Sequence, residues 1–338
     1  MMLLSGCQIG YLAKSAYSQA NLLRKRIPVE DALKDSRLTD DQKRKLSLAQ
    51  DARAFAEAEL GLSKTKNYTS YVQLDGPYVT YVVSAAPKDE LKPHLWKYPL
   101  VGAMPYKGFF EPKGAEDEAA ALRAEGLDTY VRGVTAYSTL GWFRDPILSS
   151  MLAYKDHDLV NTIIHETVHA TLFVKSEADF NERLATFIGN KGTDAYYLKR
   201  EGPQSPTLAL MKKDTEDDKV FAEFMKRELK SLEEWYAEKK AKGPKFSDEE
   251  RLARIKEIQD RFKSEVKPKL SSKDSYSRFE TAELNNARLL NYRLYFEDLS
   301  QFDKVFVKLG SDFSKMLEFC KSLEKSDDPV AELKKAAE

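Results

Sequence analysis

Apolar and polar positions alternate along this chain with a period that changes several times. Residues 8–62 read as helix, interrupted at Pro28, with Ala52, Phe55, Ala56, Leu60 and Leu62 on one face and an N-cap at Thr39 or Asp40. The period then shortens. Thr69, Tyr71, Val72, Tyr78, Val79, Tyr81 and Val82 give residues 68–85 strand character, and Val101, Met104, Tyr106, Phe109 and Phe110 predict another strand or hairpin over 97–112. A helix over about 115–125 stops at Gly126, and Thr129–Val134 reads as a strand leading into the segment 137–143. Helical spacing returns with Leu159, Val160, Ile163, Ile164, Val168, Leu172 and Phe173, and no Pro or Gly interrupts residues 147–188. Asp156 or Asp158 is the expected N-cap of that helix.

Further along, Phe221, Phe224, Met225, Leu229, Leu232 and Tyr236 recur at steps of three and four. After Gly243-Pro244, the sequence Leu252, Ile255, Ile258, Phe262, Val266 repeats the pattern, which predicts a helical hairpin whose alternating charges form a solvated face. Residues 277–325 are expected to be helices packed on the region around residue 165. The pattern as a whole is α+β and mostly helical, with a small sheet placed before the 159–173 helix. It divides the chain into residues 1–7, 8–202, 203–270 and 271–338.

One apolar run carries chemistry. Ile163-Ile164-His165-Glu166-Thr167-Val168-His169 contains H-E-x-x-H, using two of only four histidines in the chain. Side chains four apart lie one turn apart on the same helix face, so His165 and His169 can share one metal ion. Glu166 lies beside them as a carboxylate able to take a proton from a metal-activated water. A catalytic zinc needs a third protein ligand and keeps one position open. No histidine follows His169, and the one downstream thiol, Cys320, is remote and sits in an apolar helical stretch that predicts burial. The ligand is therefore expected to be acidic. Glu182 is best placed, on a helix returning after the turn at residues 175–179, with Glu177 and Asp179 as alternatives inside that turn. Oxyanion stabilisation needs a further donor, for which Tyr292, Tyr295 and Arg288 are candidates. The segment around Gly141 and Trp142 is a candidate substrate-binding edge, pairing with peptide backbone by strand addition.

H-E-x-x-H followed by Asn181-Glu182-Arg183-Leu184-Ala185 resembles the gluzincin clan of zinc peptidases. More closely, the chain resembles a bacterial family of lipoprotein-type aminopeptidases. The resemblance rests on Leu4-Ser5-Gly6-Cys7-Gln8, Arg26-Ile27-Pro28-Val29, Ala136–Pro146, Phe180-Asn181-Glu182 and Leu284-Asn285-Asn286-Ala287. It implies a zincin-like fold, a Zn2+ cofactor, peptide substrates and aminopeptidase activity. An endopeptidase or other amidase using the same site, and a non-catalytic lipoprotein scaffold keeping the fold, are the alternatives. Gly102-Ala103-Met104-Pro105 carries only a fragment of the G-x-M-E-N strand that better-known members use to bind the substrate amine.

Leu4-Ser5-Gly6-Cys7 also has the form of a lipobox, so residues 1–7 read as the remnant of an export signal with Cys7 as the lipidated residue. Gln8 in place of Asp resembles the outer-membrane pattern, which places the body on the periplasmic side of a bacterial membrane. With 54 basic and 54 acidic residues, the chain has no basic excess to suggest nucleic acid as a partner. No run of 18 apolar residues is present to span a bilayer, which leaves the lipid as the expected attachment.

Overall fold

The computed structural model describes residues 6–98, 102–136, 144–175, 177–243, 246–272, 275–293, 299–326 and 328–338. The chain is mostly helical with small sheets, in keeping with the α+β expectation. It forms two compact units, one of Met1–Val79, Thr135–Leu208 and Glu297–Glu338, the other of Thr80–Val134 and Ala209–Phe296.

The first unit opens with α1 (Gly6–Arg24), β1 (Ile27–Pro28), α2 (Val29–Ala32), α3 (Asp40–Ala58) and β2 (Ser70–Val72). Of the two predicted caps for α3, Thr39 is the one used. Its hydroxyl accepts from the Gln42 amide while the Gln42 side chain accepts from Thr39 N–H, which satisfies two otherwise orphan donors. The chain then enters the second unit as β3 (Thr80–Pro87), β4 (Trp96–Tyr98), β5 (Gly102–Met104), β6 (Lys107–Phe109), α4 (Pro112–Ala124) and β7 (Leu127–Val134). The strand-like stretch 68–85 is thus two strands in two units. The stretch 97–112 contains three short strands and ends where Pro112 opens α4, a position that tolerates its missing N–H.

Back in the first unit come β8 (Ile147–Leu148), α5 (Asp156–His169) and α6 (Ala178–Glu201). α7 (Pro206–Lys242) leads into the second unit, followed by α8 (Asp248–Arg261), α9 (Ser277–Thr281) and α10 (Asn286–Arg293). The last three helices, α11 (Ser300–Lys308), α12 (Phe313–Leu323) and α13 (Pro329–Ala337), belong to the first unit.

The described residues form three sheets, one in the first unit and two, including the β4–β5 pair, in the second. In the first, β2 pairs antiparallel with β1 (Ile27 opposite Tyr71) and parallel with β8 (Tyr71 opposite Ile147). In the second, β3 is central between β6 and β7, antiparallel to both, with Thr80 opposite Val134 and Pro87 opposite Leu127.

These units cut across the boundaries expected from sequence. The strands 80–134 belong with α7–α10 and not with the H-E-x-x-H helix, because buried polar contacts tie them together. Asp128 on β7 accepts two hydrogen bonds from Arg251 on α8 and one from Asn286 N–H on α10. The Asn286 amide also reaches the carbonyl of Pro87, and Asn285 reaches that of Thr129. Conversely, α11 packs on α6 through Phe302 and Phe306 against Phe180 and Phe187. Of the C-terminal helices expected to pack on the metal helices, α11 packs on α6, and α10 belongs to the second unit.

The hairpin of α7 and α8 forms at its predicted break, and its predicted apolar positions are buried around Phe221 and Phe262. Leu252 is the exception and is exposed. The charged face is also less solvated than expected, since Asp217, Glu228 and Arg251 are buried, each with specific partners. Cys320 is buried in α12, where the apolar surroundings push its thiol up to about 12, as suits a core residue rather than a nucleophile.

Candidate metal centre

α5 is anchored by its apolar face: Leu159, Val160, Ile163, Ile164 and Val168 are all buried. Neither aspartate expected to cap it does so. Lys155 occupies the N-cap and its side chain makes no capping bond, and Asp156 and Asp158 lie in the first turn, where their charge complements the helix dipole. Asp156 also accepts a forked hydrogen bond from Arg44 on α3, at 2.5 and 2.9 Å. α6 runs close against α5 because two glycines face it. A Cβ on Gly192 would lie 2.7 Å from Leu60 Cδ1 and 3.2 Å from Ile164 Cγ2, and one on Gly189 would lie 3.4 Å from His165 Cβ.

That close approach brings the predicted triad together. His165 Nε2 and His169 Nε2 are 3.2 Å apart. Glu182 Oε2 is 3.5 Å from His165 Nε2, and Glu182 Oε1 is 3.4 Å from His169 Nε2. A ring nitrogen has one in-plane direction for its proton or lone pair, so each imidazole can satisfy only one of its two close neighbours by hydrogen bonding. The spacing matches a common ion instead: donors about 2.0–2.1 Å from a tetrahedral centre are about 3.3 Å from each other. Among the described residues, this is the group of His, Cys, Asp and Glu side chains able to hold a metal.

The electrostatics agree. Burial alone would raise the Glu182 carboxyl, but hydrogen bonds from His165 and His169 and their charges hold it well below the usual carboxylate range. Burial would lower the His169 imidazole, yet the hydrogen bond and charge of Glu182, with the charge of Glu166, outweigh it and raise it. The site thus stabilises positive charge on the His169 ring. His169 is deeply set, its side chain 3% exposed, whereas that of Glu182 is 58% exposed, so the cluster opens to solvent on the Glu182 side. His169 Nδ1 is buried without a hydrogen-bond partner among the described residues.

Glu166 lies half-buried on α5 between the two histidines. Its charge acts on His169 and on Tyr68, a residue the sequence reading did not single out. Tyr68 is buried at φ 61°, in the left-handed region that a bulky side chain rarely adopts. Three hydrogen bonds hold this conformation: Tyr68 N–H to the Asp145 carbonyl, the Gln50 amide to the Tyr68 carbonyl, and Asp145 N–H to Asn67 Oδ1. No local sequence signal marks this position.

Asn181, in sequence only a member of the Asn181–Ala185 motif, is buried and bonded twice to the backbone of Val174. An Asn in the first turn of a helix is a hint of such side chain-to-backbone bonding. The alternative ligands stay outside the cluster. Asp179 is exposed beside Arg183, and Glu177 is the N-cap residue of α6. Tyr292 belongs to the second unit, where its ring packs edge-on against Phe221 and Phe279. Arg288 lies over the ring of Tyr130. Gly141, Trp142 and Tyr295 lie outside the described residues, as does the side chain of Cys7 on α1.

The family described as "Putative aminopeptidase" matches residues 10–336 of this sequence. The chain belongs to this family. Membership covers nearly the whole length and makes peptide hydrolysis the activity of reference for the aminopeptidase-family chain, with peptides as the substrate class. No curated protein and no solved structure matches it.

Proposed function

We propose that the chain is a zinc-dependent aminopeptidase of gluzincin type, in which His165, His169 and Glu182 hold the ion and Glu166 moves the proton. The observation that supports this most directly is the spacing of the two ring nitrogens from each other and from the two Glu182 carboxylate oxygens, 3.2 to 3.5 Å, on two helices. When bound, the ion supplies a Lewis acid that polarises a carbonyl oxygen and makes hydroxide accessible near neutral pH. The remaining steps fall to the chain's own residues. Glu166 accepts the proton of the attacking water and delivers it to the leaving amine, a role for which a half-buried carboxylate next to the two metal-binding histidines is suited. Glu182, open to solvent, leaves the approach to the cluster free on its side. The resemblance at Leu4-Ser5-Gly6-Cys7 supports the further proposal that a lipid on Cys7 anchors the protein to the periplasmic face of a bacterial outer membrane. Among the described residues, no helix is long and apolar enough to cross a membrane.

Zinc analysis of purified wild type and Glu166→Gln, with peptide hydrolysis measured on both, tests the mechanism. The expected result is equal zinc in both and a rate lowered by about 10²–10⁴-fold in the variant. A folded protein that takes up no zinc, or a variant as active as wild type, refutes it. Peptides with free and acetylated amino termini separate the modes of cleavage. An aminopeptidase rejects the acetylated series, and cleavage of both series makes the enzyme an endopeptidase. Labelling with a fatty-acid analogue, lost in Cys7→Ala, tests the anchor.

A further inference from the structure

We propose that Asn181 is a positioning residue for the metal centre: its carboxamide clamps the α5–α6 turn and thereby sets where Glu182 stands. The inference rests on the metal reading of the triad. Its starting point is a contrast between neighbours. The Glu182 side chain is 58% exposed, and its carboxylate contacts the two histidines it would share an ion with. Little on its own helix face fixes it, so its placement must come from the backbone that carries it.

Asn181, one residue earlier, is 3% exposed. Its Oδ1 accepts from Val174 N–H at 2.9 Å, and its Nδ2 donates to the Val174 carbonyl at 2.8 Å. Val174 is itself buried in the turn between the helices, and Asn181 N–H donates to the Glu177 carbonyl at 3.0 Å. The amide therefore pairs with one residue of the turn through both of its groups, as two strands would, and in the buried setting neither bond is replaceable by water. The first turn of α6 is fixed against the segment that leaves α5 from His169, the second ligand. Only an amide of this length offers one donor and one acceptor at that reach.

The test uses the full-length protein, stripped of metal and titrated with Zn2+. Co2+ substitution then reads the coordination from its visible spectrum. Asn181→Asp keeps size and shape but sets an oxygen against the Val174 carbonyl. The negative charge it adds would by itself attract a cation and suits a helix N-terminus, so weaker binding cannot arise from charge. Asn181→Leu, isosteric and neutral, serves where the aspartate variant fails to fold. Asn190→Ala is the control for general loosening, because Asn161 Nδ2 donates to Asn190 Oδ1 across the same two helices, two turns beyond Glu182.

The expected result is Zn2+ binding weaker by about 10- to 100-fold in the Asn181 variants, the usual effect of removing a residue that orients a ligand. It is accompanied by an altered Co2+ spectrum and by far-UV dichroism of the metal-free protein that matches wild type. Asn190→Ala keeps wild-type affinity. Wild-type zinc affinity and Co2+ spectrum in an Asn181 variant overturn the inference, as does an equal loss in Asn190→Ala. A wild-type chain that binds no zinc overturns the metal reading itself, which is a different outcome from either.

Discussion

Adding one methyl group at two neighbouring positions of α6 separates packing from helix propensity. Gly189 and Gly192 both lie in the helix interior against α5, so Gly→Ala at either gains about 1 kcal/mol of helix propensity. The surroundings differ. At Gly189 the new Cβ would meet Asn161 Oδ1 at 3.3 Å and His165 Cβ at 3.4 Å, close to ordinary contact. At Gly192 it would meet Leu60 Cδ1 at 2.7 Å and Ile164 Cγ2 at 3.2 Å, too near for van der Waals contact. Leu60 and Ile164 are fully enclosed, so neither has room to turn away, and Ile164 is stiff at its branched Cβ. Overpacking of this kind costs about 1–3 kcal/mol. Because the propensity gain is common to both variants, the difference between them isolates the packing term: Gly192→Ala should be less stable than Gly189→Ala by about 1–3 kcal/mol. Hydrogen exchange of α5 and α6 amides in metal-free protein measures it where it acts. Gly192→Ala should also weaken metal binding, since relief of the clash moves α6 and Glu182 with it. A stability difference below about 0.5 kcal/mol, the scatter of ordinary surface substitutions, would refute the close-approach argument.

Three further outcomes follow from other parts of the molecule. Asp128→Asn leaves Arg251 with only the exposed Asp248 as counter-charge and should destabilise by up to about 3–5 kcal/mol in urea unfolding, whereas replacing both Asp128 and Arg251 by apolar residues should cost much less; equal losses would show that the pair is not charge-coupled. The hydrogen bond from Arg44 holds the Asp156 carboxyl below its ordinary value of 3.8, against the opposing effect of burial, so its stabilisation is present above the unfolded-state value and is lost as pH falls through the folded-state one. Arg44→Ala should therefore cost up to about 1 kcal/mol at pH 7, as befits a partly exposed pair, and nothing once pH is well below about 4; a deficit that persists in acid contradicts the assignment. Zn2+ at a hundred times its dissociation constant should add about 2.7 kcal/mol to the unfolding free energy, reversed by chelation and absent in a His165→Ala, His169→Ala double variant; an identical gain in that variant places the ion elsewhere.

The cluster of His165, His169 and Glu182 was legible in the sequence because its logic is local. Helix periodicity alone puts His165 and His169 on one face, and the absence of later histidines directs attention to an acid on the next helix. The capping signal at Thr39 and the break at Gly243 belong to the same class, being written in residues a few positions apart. Composition could not show which charged residues of the α7–α8 hairpin are buried, because Asp217, Glu228 and Arg251 resemble their solvated neighbours until partners from other segments enclose them.

What the sequence determined by itself is therefore local: which side chains share one helix face at metal-ligand spacing, and where the helical pattern breaks. The tertiary structure decided the assembly. Strands and helices distant in sequence sort into two units because buried polar groups such as Asp128, Arg251 and Asn286 find each other across more than a hundred residues. Glu182 meets the histidines because Gly189, Gly192 and Asn181 let two helices approach and hold their turn. Such pairings depend on burial and on partners far along the chain, and neither is encoded in the spacing of neighbouring residues.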